Sequence, residues 1–115
     1  MPEATETANE PPALTLTGKQ KRYLRGLAHA LKPVAHIGKN GASEAFLREL
    51  DDALDIHELV KVKFVEHKDA KNEISAQIVD HLGCAVAGKV GHLLILFRPS
   101  SRDERRQIRL PAAAE

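Results

Sequence analysis

The sequence predicts one α/β domain with a four-stranded mixed sheet packed with three helices, in the order α-β-α-β-α-β-β. A length of 115 residues is enough for one hydrophobic core and too short for two. Segments with helical periodicity alternate along the chain with short strand-like segments that are apolar or have alternating polarity, which is typical of α/β connectivity. The last two strand-like segments have no helix between them, so they form a hairpin that makes the sheet mixed.

The first helix is expected to begin at a capping box. Thr17 and Gln20 have the spacing at which a threonine hydroxyl and a glutamine side chain each satisfy a backbone N–H group. The helix continues to about Lys32, because Pro33 disfavours helical geometry in the residue before it. Its apolar face consists of Leu24, Leu27, Ala28 and Leu31, and another side carries Arg22, Arg25, His29 and Lys32.

A glycine loop lies between a short strand and the second helix. The apolar residues 34–37 predict the strand, and the loop that follows is Gly38-Lys39-Asn40-Gly41. Ser43 is the expected N-cap of the second helix, with Glu44 in the first turn, where the helix dipole favours an acid. The apolar stripe of this helix ends near His57 and consists of Phe46, Leu47, Leu50, Ala53 and Leu54.

The remaining elements are three strands and a third helix. In residues 59–65, apolar side chains alternate with Lys61 and Lys63, as expected of a strand with one covered and one hydrated face. The third helix is expected to begin around residues 68–72 and to end at Gly83. Residues 84–87 and 93–98 form the closing hairpin, joined by a glycine-containing turn at residues 88–92.

The two ends of the chain lie outside this pattern. Residues 1–14 predict a disordered acidic tail, since they have almost no large apolar side chain to offset the entropy of ordering. Residues 15–99 form the domain, and residues 100–115 are expected to be a basic, flexible tail apart from a short segment at 108–110. Without a secretory signal or a long apolar run, and with the single cysteine Cys84, we expect a soluble, cytoplasmic monomer.

Charge is segregated along the chain, although the net charge is only +1. Residues 18–41 contain six lysines or arginines and no acid, whereas residues 44–58 contain six acids and one base. Residues 89–109 are basic again, with six bases and two acids. This distribution predicts a basic face and an acidic face, and a basic face is typical of proteins that bind a polyanion.

The glycine loop and the basic first helix are the candidate nucleic-acid contacts. Two glycines that bracket two residues let the backbone approach a phosphate, and the next helix directs its first N–H groups at the loop. Read alone, the glycine pattern is more often an ordinary turn between a strand and a helix. Lys61 and Lys63 could extend the basic patch, or could instead prevent the sheet from pairing with another chain. With three Phe, one Tyr and no Trp, contact with RNA backbone and shape is favoured over base stacking. The candidate residues are Lys19, Lys21, Arg22, Arg25, Lys32, Gly38, Lys39, Asn40, Gly41, Lys61 and Lys63.

Two alternatives belong to other functional classes. The first is a protein-interaction adaptor that uses the acidic second helix to bind a basic ribosomal protein. The second is a metal-dependent hydrolase using Asp51, Asp52 and Asp55, although a hydrated acidic helix face explains their spacing better. The six histidines lack metal-ligand spacing, and no nucleotide-binding loop is present, so we expect no cofactor and no catalytic activity.

Several stretches together resemble the chloroplast RNA splicing and ribosome maturation (CRM) domain, in particular its free-standing bacterial YhbY-like form. These stretches are KQKRYLRGLAH at residues 19–29, LKPV at 31–34, IGKNG at 37–41, HELVKVK at 57–63 and LFRP at 96–99. They occur in the order of the family and at compatible spacing, and they span about Leu16 to Pro99.

The resemblance implies an RNA-binding module with a fold similar to the C-terminal domain of bacterial translation initiation factor 3. In bacteria, the single-domain members are associated with precursors of the large ribosomal subunit, which implies ribosomal RNA as the partner. The glycine loop of the family corresponds to residues 38–41, and its basic first helix corresponds to Lys19, Lys21, Arg22 and Arg25. The two terminal segments lie outside the resemblance.

Overall fold

The structure, a computed structural model, describes residues 15–101, 104 and 106–111, and the predicted N-terminal tail lies outside them. The helices are α1 (Gly18–Ala28), α2 (Glu44–His57) and α3 (Lys71–Leu82), the last preceded by a 3-10 turn at Lys68–Ala70. The strands are β1 (Ala35–Ile37), β2 (Leu59–Phe64), β3 (Ala85–Val90) and β4 (Leu93–Phe97). This order of elements confirms the predicted fold class.

The four strands form one mixed sheet in the order β1-β2-β4-β3. β1 and β2 are parallel, with Ala35 beside Val62 and Ile37 beside Phe64, whereas β4 is antiparallel to both of its neighbours. The end of β1, the end of β2 and the turn between β3 and β4 therefore meet at one end of the sheet. We call this end the loop end, because it carries the glycine loop.

The two faces of the sheet bury two separate apolar clusters. On one face, Val60, Val62 and Phe64 of β2 pack in a cluster with side chains of α2 and α3. On the other face, Leu24 and Ala28 of α1 pack in a cluster with Leu59, Ala85, Ala87, Ile95 and Phe97. The sheet is thus the middle layer of three, with α1 on one side and α2 and α3 on the other.

Helix α1 begins as predicted and ends earlier. The Thr17 hydroxyl accepts from the Gln20 backbone amide at 3.1 Å, and the Gln20 side chain accepts from the Thr17 amide at 3.0 Å. The helix stops at Ala28 rather than near Lys32, because the chain must turn there to bring Val34 beside β2, where its amide donates to the Lys61 carbonyl. Of the predicted apolar face, Leu27 and Leu31 consequently remain about 40% exposed (40% and 39%).

The closing hairpin differs from its prediction. β3 continues to Val90 instead of ending at Ala87, so the predicted turn at residues 88–92 shrinks to Gly91 and His92. The register passes from Val86 opposite Leu96 to Gly88 opposite Ile95, which makes Ala87 the extra residue of a β-bulge. The bulge places Ala87 and Gly88 on the same face, under α1.

Glu58, the residue after α2, fixes the chain that follows β4. Its side chain is only 1% exposed. One carboxylate oxygen accepts from the Ser100 amide at 2.8 Å, and the other accepts from the amides of Gln107 at 2.7 Å and Ile108 at 3.0 Å. Burial acts to raise the pKa of Glu58, but these three amides and the charge of Arg106 outweigh it and hold the pKa below its usual value.

Part of the segment predicted as a flexible tail therefore lies against the domain. Ile108 and Leu110 pack on the cluster beneath α1. The Gln20 side chain also donates a hydrogen bond to the Pro111 carbonyl at 3.0 Å. Residues 108–110 are the short segment that the prediction excepted, the expected flexibility of the rest of the tail stays a prediction, and residues 102, 103, 105 and 112–115 lie outside the described part.

No helix in the described part of the chain combines the length and the apolar character that a membrane span requires.

Candidate nucleic-acid interface

The outer side of α1 is basic. Lys19, Lys21 and Arg22 are exposed, and α1 has no acid in its first turn. The helix orients these side chains outward because Gln20, Leu24 and Ala28 occupy the buried stripe at four-residue spacing. The structure thus brings three of the predicted contact residues onto one hydrated surface.

Arg25 also belongs to this surface, and it has a structural role as well. Its Nη1 atom donates to the Ala87 carbonyl at 3.2 Å, and its aliphatic stem crosses over Gly88. A Cβ atom on Gly88 would lie 2.6 Å from the Cδ atom of Arg25, so any other residue there would force the stem to move. The glycine predicted to serve a turn therefore serves the contact between α1 and β3.

The glycine loop is closed by a backbone hydrogen bond, and a histidine side chain fixes it from one side. The Gly41 amide donates to the Gly38 carbonyl at 3.1 Å. The Nε2–H of His67 donates to the Lys39 carbonyl at 2.7 Å, which fixes the loop while the Lys39 and Asn40 side chains remain exposed. This arrangement leaves two polar side chains on a backbone of defined shape.

The two glycines of the loop differ. Gly41 has φ of +60°, which L side chains adopt rarely. Gly38 has no such conformation, and a Cβ atom there would meet nothing within 4 Å. Gly38 therefore keeps space open on the outside of the loop, whereas Gly41 is needed for the course of the backbone.

The loop leads directly into α2, as predicted. Ser43 is the N-cap, and its hydroxyl accepts from the Phe46 amide at 3.2 Å. Glu44 lies in the first turn, where it complements the helix dipole. A shallow concavity of about 270 Å³ lies between the loop and the first turns of α2, and it is lined by both glycines, Asn40 and Glu49 among others.

The three remaining predicted lysines lie at different places. Lys63 is exposed at the loop end on the α1 side, beside His36 of β1. Lys61 is partly buried, and its Nζ atom donates to the Leu31 carbonyl at 2.9 Å, so it also anchors the turn after α1. Lys32 lies before β1, beside Ile56 and His57 at the opposite end of the sheet from the loop.

The loop end carries further cations that sequence reasoning missed. The Lys71 ammonium donates to the Gly91 carbonyl at 2.8 Å and contacts His92 Nδ1 at 3.1 Å. Lys89 reaches across to the Asn72 side chain. Partial loss of hydration lowers the pKa of His92, and the charges of Lys71, Lys68 and Lys63 lower it further. These residues are distant in sequence, and only the strand order, which brings the β3–β4 turn beside the end of β2, could have pointed to them.

The acids of α2 lie on the other face of the sheet, and several have internal partners. Asp51 forms an ion pair with Arg98 at 2.7 Å, and Asp55 accepts from the amide and hydroxyl of Ser101 at 2.9 and 2.7 Å. Among the described residues, no group of three or more histidines, cysteines or acids could hold a metal ion. Burial raises the pKa of the Cys84 thiol to about 11, against the opposing charge of Arg98, which leaves the thiol protonated.

Comparison with known proteins identifies the family. The model of the CRS1 / YhbY (CRM) domain matches residues 16–98, which is most of the chain. The chain belongs to the CRM domain family. This match confirms the resemblance inferred from the motifs, and within the CRM domain the glycine loop and α1 both lie inside the matched range.

Three relatives of this CRM domain are similar to it over nearly their whole length. A Haemophilus influenzae protein named RNA-binding protein is 44% identical over 98 residues, covering 84% of this chain and 96% of the relative. A Bacillus subtilis protein, named probable RNA-binding protein YqeI, is 34% identical over 97 residues, covering 84% and 99%. A solution structure from Staphylococcus aureus, of a protein for which RNA binding has been suggested, matches with a TM-score of 0.70 at 35% identity, covering 84% of this chain and 100% of its own. None of these three is named for a catalytic activity.

Proposed function

We propose that this CRM domain binds RNA through its basic face, and that its ligand is ribosomal RNA in precursors of the large ribosomal subunit. The observation that carries the proposal is the separation of charge by the sheet, with bases on α1 and acids on α2 in opposite layers. Such a surface attracts a polyanion to one side of the molecule and repels it from the other. The names of the relatives support RNA as the polyanion.

Two groups of residues contact the RNA in this proposal. The exposed bases Lys19, Lys21 and Arg22 neutralise phosphates along α1, which gives affinity without sequence information. The glycine loop approaches a further phosphate, with Lys39 supplying charge and Asn40 a hydrogen-bond donor. Because His67 already fixes the loop, little conformational entropy is lost on binding.

Charge reversal on opposite faces tests the basic-face contact. Arg22 on α1 and Arg48 on α2 are both exposed arginines, so Arg22→Glu and Arg48→Glu change the net charge equally. We expect Arg22→Glu to weaken binding to structured ribosomal RNA about tenfold and to reduce the salt slope by about 1. Arg48→Glu is the matched control and should have little effect. Equal losses in the two variants would contradict a defined basic face.

Substitution of Gly38 tests the loop contact. The double change of Gly38 and Gly41 to alanine would confuse binding with folding, because Gly41 has a positive φ. A Cβ atom at Gly38 lies in open space, so we expect thermal unfolding to be unchanged in Gly38→Ala and Gly38→Glu. We expect Gly38→Ala to weaken RNA binding several-fold and Gly38→Glu to weaken it further, because a carboxylate repels phosphate. Unchanged affinity in both folded variants would remove the loop from the interface.

Crosslinking in cells, followed by sequencing of the attached RNA, tests the ribosomal part of the proposal. Crosslinks concentrated in precursor RNA of the large subunit would support it, and crosslinks spread over unrelated transcripts would contradict it. The adaptor alternative is less well supported, because Asp51, Asp55 and Glu58 already bind partners within the domain. An adaptor that acts through α2 would keep its partner in Arg22→Glu.

A further inference from the structure

One row of side chains crosses the whole sheet at the loop end. The register places Val90 beside Leu93, Leu93 beside Lys63, and Lys63 beside His36. Strand alternation puts all four on the α1 side, because the next residues along each strand, such as Ile37, Phe64 and Leu94, lie in the cluster under α2 and α3. We call these four residues the sheet row.

Helix α1 does not cover the sheet row. It crosses the other end of this face, where Leu24 and Ala28 pack with Leu59 and Phe97. His36 and Lys63 are exposed, Leu93 is half-buried, and Val90 is 56% exposed. The bulge at Ala87 turns Val90 towards this face, so the position of Val90 beside Leu93 in the row is a consequence of the irregularity in β3.

Positive charge surrounds the sheet row on both sides. The glycine loop with Lys39 follows β1 directly after Ile37, next to His36. At the other end, the β3–β4 turn carries His92, close enough to Lys68 and Lys71 for their charges to act on it. An apolar patch bordered by cations on both sides matches a ligand that has a flat apolar part and an anionic part.

We propose that the sheet row holds one unpaired nucleotide of the bound RNA. Its base lies on Val90 and Leu93, its edge faces Lys63 and His36, and the neighbouring phosphates face the lysines of the turn and the loop. Four strands spaced about 4.8 Å apart give a row about 14 Å long, which is room for one base and the adjoining backbone. This inference rests on the proposed function and adds that the preferred RNA has an unpaired nucleotide beside a helix.

Two RNA hairpins and three valine variants test this inference. One hairpin is fully paired and ends bluntly, and the other has the same stem with a three-nucleotide unpaired extension. We expect wild-type protein to bind the extended hairpin about fivefold more tightly. Val90→Thr keeps the shape and β propensity of valine, and it should lose most of this preference. Val34→Thr, the control just before β1 and away from the loop end, should retain it, and Val90→Tyr should increase it.

Photocrosslinking provides a second readout. A 4-thiouridine in the unpaired extension should crosslink to peptides that contain Val90, Leu93 or His36. Equal binding of the two hairpins by wild-type protein, equal effects of Val90→Thr and Val34→Thr, or crosslinks confined to α1 would overturn the inference. If Arg22→Glu still weakened both hairpins, the proposed function would stand without the sheet row. If Arg22→Glu weakened neither, the proposed function itself would fail.

Discussion

Replacement of Glu58 by alanine should release the C-terminal segment and destabilise the whole domain. The carboxylate is buried and accepts hydrogen bonds from the amides of Ser100, Gln107 and Ile108 at 2.7 to 3.0 Å. Alanine leaves three N–H groups without their charged acceptor. Since Ile108 and Leu110 pack on the cluster beneath α1, the loss extends to their apolar contacts.

The size of the effect follows from the hydrogen bonds. A hydrogen bond to a charged group contributes about 1.5 to 3 kcal/mol, and the three bonds share one carboxylate, so their contributions are not additive. We therefore expect a loss of about 3 to 5 kcal/mol in the free energy of unfolding, measured by urea denaturation. Amide hydrogen exchange should show loss of protection at Gln107 and Ile108 first.

Two further variants at Glu58 separate its charge from its backbone conformation. Glu58 has φ of 66°, an unfavourable angle for a side chain other than glycine. Glu58→Gly should thus be more stable than Glu58→Ala by about 1 kcal/mol. Glu58→Gln keeps the shape but loses the charge, and it should fall between alanine and the wild type.

The pH dependence has a definite sign. Because the folded pKa of Glu58 is lower than the unfolded value, its contribution is fully present above the unfolded pKa and is lost as the pH falls through the folded pKa. The wild type should lose more stability than Glu58→Gln as the pH drops below about 4.3. A loss under about 1 kcal/mol in Glu58→Ala, or identical acid profiles for wild type and Glu58→Gln, would refute the anchoring role.

Two smaller effects follow from other contacts. Gly88→Ala should displace the Arg25 stem and destabilise the domain by about 1 kcal/mol, and urea denaturation of the double mutant should show that Arg25→Ala removes this cost. The buried Cys84 thiol, with its pKa raised to about 11, should resist alkylation by iodoacetamide at pH 8 and react rapidly only in denaturant, as mass spectrometry would record. Additive effects in the first case, or rapid labelling of native protein in the second, would contradict these assignments.

Local patterns predicted most of the fold because each one is decided by neighbouring residues. The capping box at Thr17 and the N-cap at Ser43 depend on backbone groups within three residues, and both are present. The alternation in β2 requires only that one face be covered, and Val60 and Val62 are buried as expected. The residues that determine such features are close together in the sequence, so a local pattern is enough to predict them.

The errors occurred where distant contacts decide the structure. β3 was predicted to end at Ala87, because Gly88 has the usual signature of a turn. The strand continues because residues 88–90 pair with residues 93–95 of β4 after the bulge, and Gly88 lies beneath the stem of Arg25, which is far away in sequence. The contacts of the C-terminal segment were not predicted, because the Glu58 carboxylate that accepts from the Ile108 amide lies 50 residues earlier in the chain. Neither partner could be found by reading a local window.

The candidate site was predictable to the extent that charge is clustered in sequence. The bases of α1 and the glycine loop lie within one stretch of the sequence, residues 18–41, so the local charge pattern is enough to predict them. Lys68 and Lys71 belong to one segment and His92 to another, and they meet only because the β3–β4 turn lies beside the end of β2. To find this second group from the sequence, the order of the strands in the sheet would have had to be predicted correctly.

The chain passes from one face of the sheet to the other at the glycine loop. For this reason, the basic and acidic segments of the sequence lie on opposite faces of the sheet. Helix α1 packs on one face of the sheet and β1 leads from it to the loop, whereas α2 packs on the opposite face from its first turns. The sign of the charges changes at the same position, between Lys39 and Glu44. A phosphate held at the loop would therefore meet bases on one side and be excluded by the acids of α2 on the other, which orients RNA towards α1 and the open sheet.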